Sequence, residues 1–239
     1  LHLSIRRQRQ MCIRDRAHAG DMEISCGAVL IKESQLGRET HLLHISLGSR
    51  GHFKKSPIDY GKQKEEEARE CARRMGTYVH FLDYMDGEVT DSKEARLDVM
   101  EMIREIQPNI VIGHWKTSLH PDHAVAHRLT ETAILWAALE GIGKGTVWRG
   151  VGMTIFAENW EDPEGFVPYL YVDVTDFREA WRNAVQAYEL FRGGVSSFDY
   201  IGYYDGLGKV RGAQVGVGWA QAFGVHPWQQ RQKVTSLVL

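Results

Sequence analysis

Short apolar runs alternate with helix-length amphipathic stretches from residue 17 onward, and the apolar runs end in residues able to do chemistry. Thr40-His41-Leu42-Leu43-His44-Ile45-Ser46-Leu47, Tyr78-Val79-His80-Phe81-Leu82 and Asn109-Ile110-Val111-Ile112-Gly113 have the makeup of strands. Alternating with them, 22–37, 62–75 and the stretch from a Ser92 cap to Ile106 read as helices, stopped by Gly37, Gly76 and Pro108. Another helix is expected over 122–139. This β-α-β-α order specifies an α/β, Rossmann-like fold: a mostly parallel sheet with helices on both faces. The last third reads as strands at 154–156 and 169–174 and an amphipathic helix over 177–191. A loop rich in Gly, Tyr and Asp beyond Gly193-Gly194 is expected to close over a pocket, and 220–223 to end a final helix.

A chain of 239 residues, 43% apolar and 25% charged, can bury one substantial core, so residues 17–239 read as a single domain. No apolar run approaches the ~18 residues of a membrane span. A formal net charge of -2 offers no field for nucleic acid, so the expected partner is a small molecule; a homo-oligomer is compatible with this. Cys12, Cys26 and Cys71 have no CxxC spacing, which gives neither a disulfide framework nor a thiolate metal site and suits the cytoplasm.

Residues 1–16 do not fit the rest. They hold Arg6, Arg7, Arg9, Arg14 and Arg16 against the single acid Asp15, without the apolar region of a secretory signal. A strand should precede Ala17-His18, yet two arginines and an aspartate line a central parallel strand only at high cost. The run Arg9-Gln10-Met11-Cys12-Ile13-Arg14-Asp15 resembles translated sequencing-adapter sequence. We therefore read 1–16 as a non-native or disordered segment, ahead of a basic targeting peptide or nucleic-acid arm.

Two segments carry the chemistry: Ala17-His18-Ala19-Gly20-Asp21-Met22-Glu23 and His120-Pro121-Asp122-His123. His18 and Asp21 share the turn between a strand and a helix, where imidazole and carboxylate can hold a divalent ion. Pro121 suits a helix start, leaving His120 in the loop and His123 in the first turn. One of these imidazoles would be a ligand and the other would face the substrate. The bland alternatives are a helix cap at Asp122 and N-terminal helix charge at Asp21 and Glu23. Two imidazoles and a carboxylate favour Zn2+, with Fe2+ or another divalent ion as the alternative. His114 either lines the pocket or is structural, and His127 is expected to pack or face solvent. Arg50 and Asp86, in strand-end loops, are candidates to hold a polar substrate.

From residue 17 to about 223 the chain resembles the LmbE-like (PIG-L) family of zinc-dependent N-acetylglucosaminide deacetylases. That family opens with Ala-His-Pro-Asp-Asp-x-Glu after its first strand and carries a later His-Pro-Asp-His. The resemblance implies metal bound by His18, Asp21 and His123, with His120 as acid or electrostatic stabiliser and Asp122 orienting it. It also places Arg50 and Asp86 at sugar-contacting positions and Arg211 near the pocket. The family's Pro-Asp is replaced here by Ala19-Gly20, and that Asp is the family's general base, a role worth ~10²–10⁴-fold. Glu23 is then the first candidate to replace it. The expected reaction removes acetyl from an N-acetylated amino sugar or glycoside by metal-activated water. The alternatives are a metal-dependent hydratase of a small unsaturated carboxylate, its acid held by Lys116 and Arg50, and a non-catalytic metal- or sugar-binding protein. Sequencing the source DNA upstream of codon 17 is expected to reveal an apolar strand in place of residues 11–16. A continuous native frame encoding the same basic segment would refute that reading.

Overall fold

The computed structural model describes residues 11–231, with side chains from residue 17 onward. The strands are β1 (Met11–His18), β2 (Glu39–Ser46), β3 (Tyr78–Tyr84), β4 (Ile110–Gly113), β5 (Met153–Ala157), β6 (Leu170–Asp173) and β7 (Ala220–Val225). They lie in the order β3-β2-β1-β4-β5-β7-β6. β1 to β5 run parallel, while β7 is antiparallel to both β5 and β6. Helices α1 (Asp21–Gln35), α2 (Pro57–Met75), α3 (Lys93–Ile106), α4 (Pro121–Ala137), α5 (Arg178–Val185) and α6 (Tyr200–Val215) cover the sheet.

Side-chain alternation sorts the sheet's apolar residues into two cores. Leu42 and Ile112 join the core under α1, α2, α5 and α6. Their neighbours Leu43, Ile45 and Val111 join the core under α3 and α4. Because successive strand residues point to opposite faces, a doubly covered sheet needs such continuous apolar runs. The expected α/β fold with helices on both faces is what forms. From β1 the chain winds outward through β2 and β3, then returns to β4 on the other side. The β1/β4 boundary is therefore the switch point at which open α/β sheets hold ligands.

Of the segment read as non-native, residues 1–10 lie outside the described residues. The backbone of 11–16 forms the first part of β1, between β2 and β4, where the sequence calls for a strand. That this segment is foreign sequence is the proposal that upstream sequencing tests.

The last third departs from the sequence reading in three places. The expected single helix over 177–191 is α5 flanked by two short 3-10 turns, Thr175–Phe177 and Leu190–Arg192. The expected glycine-rich loop contains α6, capped by Asp199, whose carboxylate accepts from the Gly202 N–H at 2.9 Å. Its glycines allow close packing: a Cβ at Gly208 would lie 2.1 Å from Trp219 Nε1, and one at Gly212 would lie 2.7 Å from the Val217 carbonyl. The expected helix end at 220–223 is instead strand β7, whose backbone completes the ladders of β5 and β6.

Trp181 ties α5 to the start of α1. Fully buried, its indole N–H donates to the carbonyls of Glu23 and Ile24, both at 3.1 Å, just before α1 leaves helical geometry at Cys26. Trp181→Ala should cost about 3–5 kcal/mol in urea unfolding, from lost burial, cavity and hydrogen bonds together. A cost below about 1 kcal/mol would mean α1 is held by other contacts.

Candidate metal centre and active site

His18 ends β1, and only Ala19 and Gly20 separate it from Asp21, the first residue of α1. So sharp a strand-to-helix turn sets Gly20 at φ 112, a conformation that costs an L side chain strain. A Cβ there would also lie 3.0 Å from Phe191 Cζ and 3.6 Å from Lys64 Nζ. The Lys64 ammonium donates to the Ala19 carbonyl. Position 20, where the resemblance leads one to expect a base, is thus surrounded by glycine backbone, an aromatic ring and a cation. Asp21 benefits from the helix N-terminus, and its Oδ2 accepts from the His18 N–H at 3.1 Å.

The start of α4 closes the site from the other side. Pro121 opens the helix, and His120 caps it, Nδ1 accepting from the Asp122 N–H at 3.3 Å. This turns His123 inward, fully buried, with Nε2 3.2 Å from Asp21 Oδ2. His18 Nδ1 lies 3.5 Å from the same oxygen. His18 and His123 thus both approach Asp21 Oδ2, and among the described residues the groups compact enough to share an ion are His18 with His120 and His123, Asp21 with His114 and His123, and His18 with Asp86 and Asp122. His123 Nε2 is buried and, among the described residues, has no hydrogen-bond partner. Once its proton is displaced, such a nitrogen beside a carboxylate oxygen suits a divalent cation, so the donors gathered around His123 fit a metal.

The surrounding charges favour positive charge here. Burial works against a charged His123, but Asp21 and Asp162 prevail and lift its pKa to about 9. His18 is likewise opposed by burial, yet Asp122, Asp21 and Asp86 hold it well above the ordinary imidazole range. Asp21 is held well below the usual carboxylate range: His123 and His18 outweigh its burial. His120 goes the other way, lowered by burial and by His18 and His123 nearby.

Other expected residues have different surroundings. Asp122 does not orient the His120 ring; its Oδ2 pairs with His18 Nε2 at 3.0 Å and accepts from the Gly87 N–H at 2.8 Å. Glu23 does not face the cavity. It is fully buried, its Oε2 accepting from the Gly20 N–H at 3.0 Å and its Oε1 from the Tyr188 hydroxyl at 2.8 Å. Asp86 does line the cavity, with Oδ1 3.1 Å from His18 Nε2. Arg50 reaches outward to Glu88 Oε1 at 2.7 Å, while its backbone N–H donates to Asp86 Oδ2 at 2.8 Å. Arg211 is spent on Glu158, its Nε 2.8 Å from Oε2, away from this cavity. Lys116 lies over the Trp115 ring, beside a different cavity. His127 is packed, its Nδ1 2.9 Å from the His114 carbonyl.

Two acids escaped the sequence reading. Asn159-Trp160-Glu161-Asp162 follows β5, so both carboxylates sit at a strand end, the one cue that could have flagged them. Glu161 lines the cavity, its Oε2 3.5 Å from His123 Nε2, and burial followed by the negative charge of Asp21 raises its pKa to about 6. Asp162 is fully buried behind His123 and His114. The cavity encloses about 240 Å³, enough for a small ligand, with Trp160, Phe191 and Tyr200 as aromatic walls and His18, Asp86 and His120 as polar ones.

Residues 16–134 match the family model described as PIG-L, GlcNAc-PI de-N-acetylase. A 4-oxalmesaconate hydratase of Pseudomonas putida is 26% identical over 208 residues, covering 83% of this chain and 78% of its own length. A diacetylchitobiose deacetylase of Thermococcus kodakarensis is 27% identical over 194 residues, 75% of this chain and 68% of its own. Among solved structures, a conserved protein of Thermus thermophilus superposes with a TM-score of 0.81 at 26% identity, covering 95% of this chain and 98% of its own. Among the described residues no helix is long and apolar enough to cross a membrane.

Gly20→Asp is expected to destabilise the fold by about 1–3 kcal/mol, because the left-handed turn strains any L residue. Equal unfolding midpoints for variant and wild type would show that the turn relaxes freely.

Proposed function

This chain carries a domain of the PIG-L/LmbE-like family, and on that footing we propose that it delivers water to the acetamido carbonyl of a small N-acetylated amino sugar or glycoside. The observation that carries this reading is Glu161. A carboxylate stands on the cavity wall 3.5 Å from a buried imidazole nitrogen, supplying the base that position 20 lacks. A zinc or comparable divalent ion held by His18, Asp21 and His123 would polarise a carbonyl and bring the pKa of water down to roughly 7. Glu161 takes the proton of the attacking water and returns it to the leaving amine. His120 serves as a neutral donor: its Nδ1 already accepts from the Asp122 N–H, so the ring proton sits on Nε2 and stabilises the developing oxyanion. Asp86 accepts a sugar hydroxyl, and the Trp160 and Phe191 rings cover apolar sugar faces. The buried Cys26 and Cys71, which have no CxxC spacing, suit a cytoplasmic setting.

One observation favours hydration of a small unsaturated carboxylate instead. The Lys64 ammonium lines the cavity beside Gly20, where the family's base would be, and there a cation could hold a carboxylate substrate. The similarity to the hydratase of Pseudomonas putida adds weight to this second reading.

Zinc-loaded protein is expected to release acetate from N-acetylglucosamine conjugates. Glu161→Gln should lower kcat by ~10²–10⁴-fold while retaining metal, and His123→Ala should lose the metal. No acetate across the panel, together with an ultraviolet change on an unsaturated dicarboxylate, would replace deacetylation by hydration. Full activity in Glu161→Gln would remove Glu161 from the mechanism.

A further inference from the structure

Asp162 bridges two stacked imidazoles. Its Oδ1 lies 3.2 Å from His123 Nδ1 and its Oδ2 3.4 Å from His114 Nδ1, while the two rings stack 4.0 Å apart. All three residues are fully buried. The loop fixes the carboxylate, because the Asp162 N–H donates to the Asn159 carbonyl at 3.0 Å. The His114 tautomer follows from the backbone. Its Nε2 accepts from the Ala17 N–H at 3.3 Å, so its ring proton sits on Nδ1 and is donated to Asp162. The second carboxylate oxygen then faces His123 Nδ1, where a charged acceptor outcompetes the Ser118 hydroxyl, 3.3 Å from the same nitrogen.

We infer that Asp162 is a positioning residue that keeps the proton of His123 on Nδ1 and so presents the Nε2 lone pair to the metal. In the alternative tautomer Nε2 would carry a hydrogen toward Asp21 and could not ligate, and Asp162 would face a bare nitrogen. A carboxylate behind a ligating imidazole also makes the ring more basic and fixes its orientation. His114 braces the arrangement from Oδ2, so the carboxylate cannot rotate away. The inference rests on the reading of His123 as a metal ligand.

The test titrates zinc into the metal-stripped full chain against a chromophoric chelator, for wild type, Asp162→Asn and His114→Phe. Thermal midpoints of the metal-free proteins are recorded alongside. Asp162→Asn is expected to weaken zinc binding by about 10–100-fold. His114→Phe, which removes the brace but leaves Oδ1 on His123, should lose thermal stability while keeping most of the affinity. Zinc-loaded wild type labelled with ¹⁵N-histidine should show His123 protonated at Nδ1, with the far-downfield proton shift of a carboxylate partner. Wild-type affinity in Asp162→Asn overturns the inference. So does an equal loss in His114→Phe, which would mean that packing alone is at work. Should Asp162→Asn fail to fold, the wild-type spectrum decides: His123 protonated at Nε2 overturns the inference. If wild type takes up no zinc, the ligand assignment fails first and the inference falls with it.

Discussion

The half-buried charge of Asp21, on the cavity wall, is the constraint around which the rest of this structure is arranged. A carboxylate at the foot of α1 needs positive charge or donors on every side, and the fold supplies them from separate elements. The helix N-terminus and the His18 N–H come from α1 and β1, and the His123 imidazole comes from α4. Those imidazoles need carboxylates of their own, which explains Asp86 and Asp122 around His18 and Asp162 behind His123. The result alternates in charge from one loop to the next across the switch point of the sheet. In such a buried network each member stabilises its neighbours, and loss of one leaves an uncompensated charge in low dielectric.

The sequence carried this arrangement unevenly. The parallel sheet and the pairing of His18 and Asp21 with His123 were legible because strand-end loops follow apolar runs, and Pro121 marks a helix start. Glu161 and Asp162 were not, because acids after a strand are commonplace and only the tertiary fold sets β5 beside β4, one strand away from β1. Glu23 misled for a local reason: three residues after Gly20 it reaches back to cap the helix, and Tyr188 holds its other oxygen. Arg50 and Arg211 look like substrate contacts by position, but each has a nearer carboxylate, Glu88 and Glu158. In α6, glycine density suggested a loop, whereas Trp219 and the backbone of 217–219 take the space that side chains would fill.

Deacetylation and hydration ask for much the same equipment here. Each adds water to an electrophilic carbon whose charge an oxygen gathers, directly bonded in an acetamide and conjugated through the double bond in an unsaturated acid, and each needs a proton carrier opposite a donor. Glu161 and His120 line one cavity, and in the proposed roles they would meet that requirement for either reaction. What separates the two is the far end of the substrate, where aromatic walls suit a sugar ring and Lys64 suits an acid. On the proposed reading, specificity would rest on residues of α2 and of the turn that follows α5, while the reacting groups would come from the loops that follow strands.

The left-handed turn at Gly20 also bears on how such a site can change over time. Aspartate placed there by a single codon change would carry a cost in stability. The backbone would have to leave the glycine-only region, and the Phe191 ring and the Lys64 ammonium would have to withdraw. Each of those shifts is unfavourable alone and useful only with the others. The turn therefore works as a ratchet: glycine, ring and ammonium hold one another in place, and a base offered from a different loop would leave all three undisturbed.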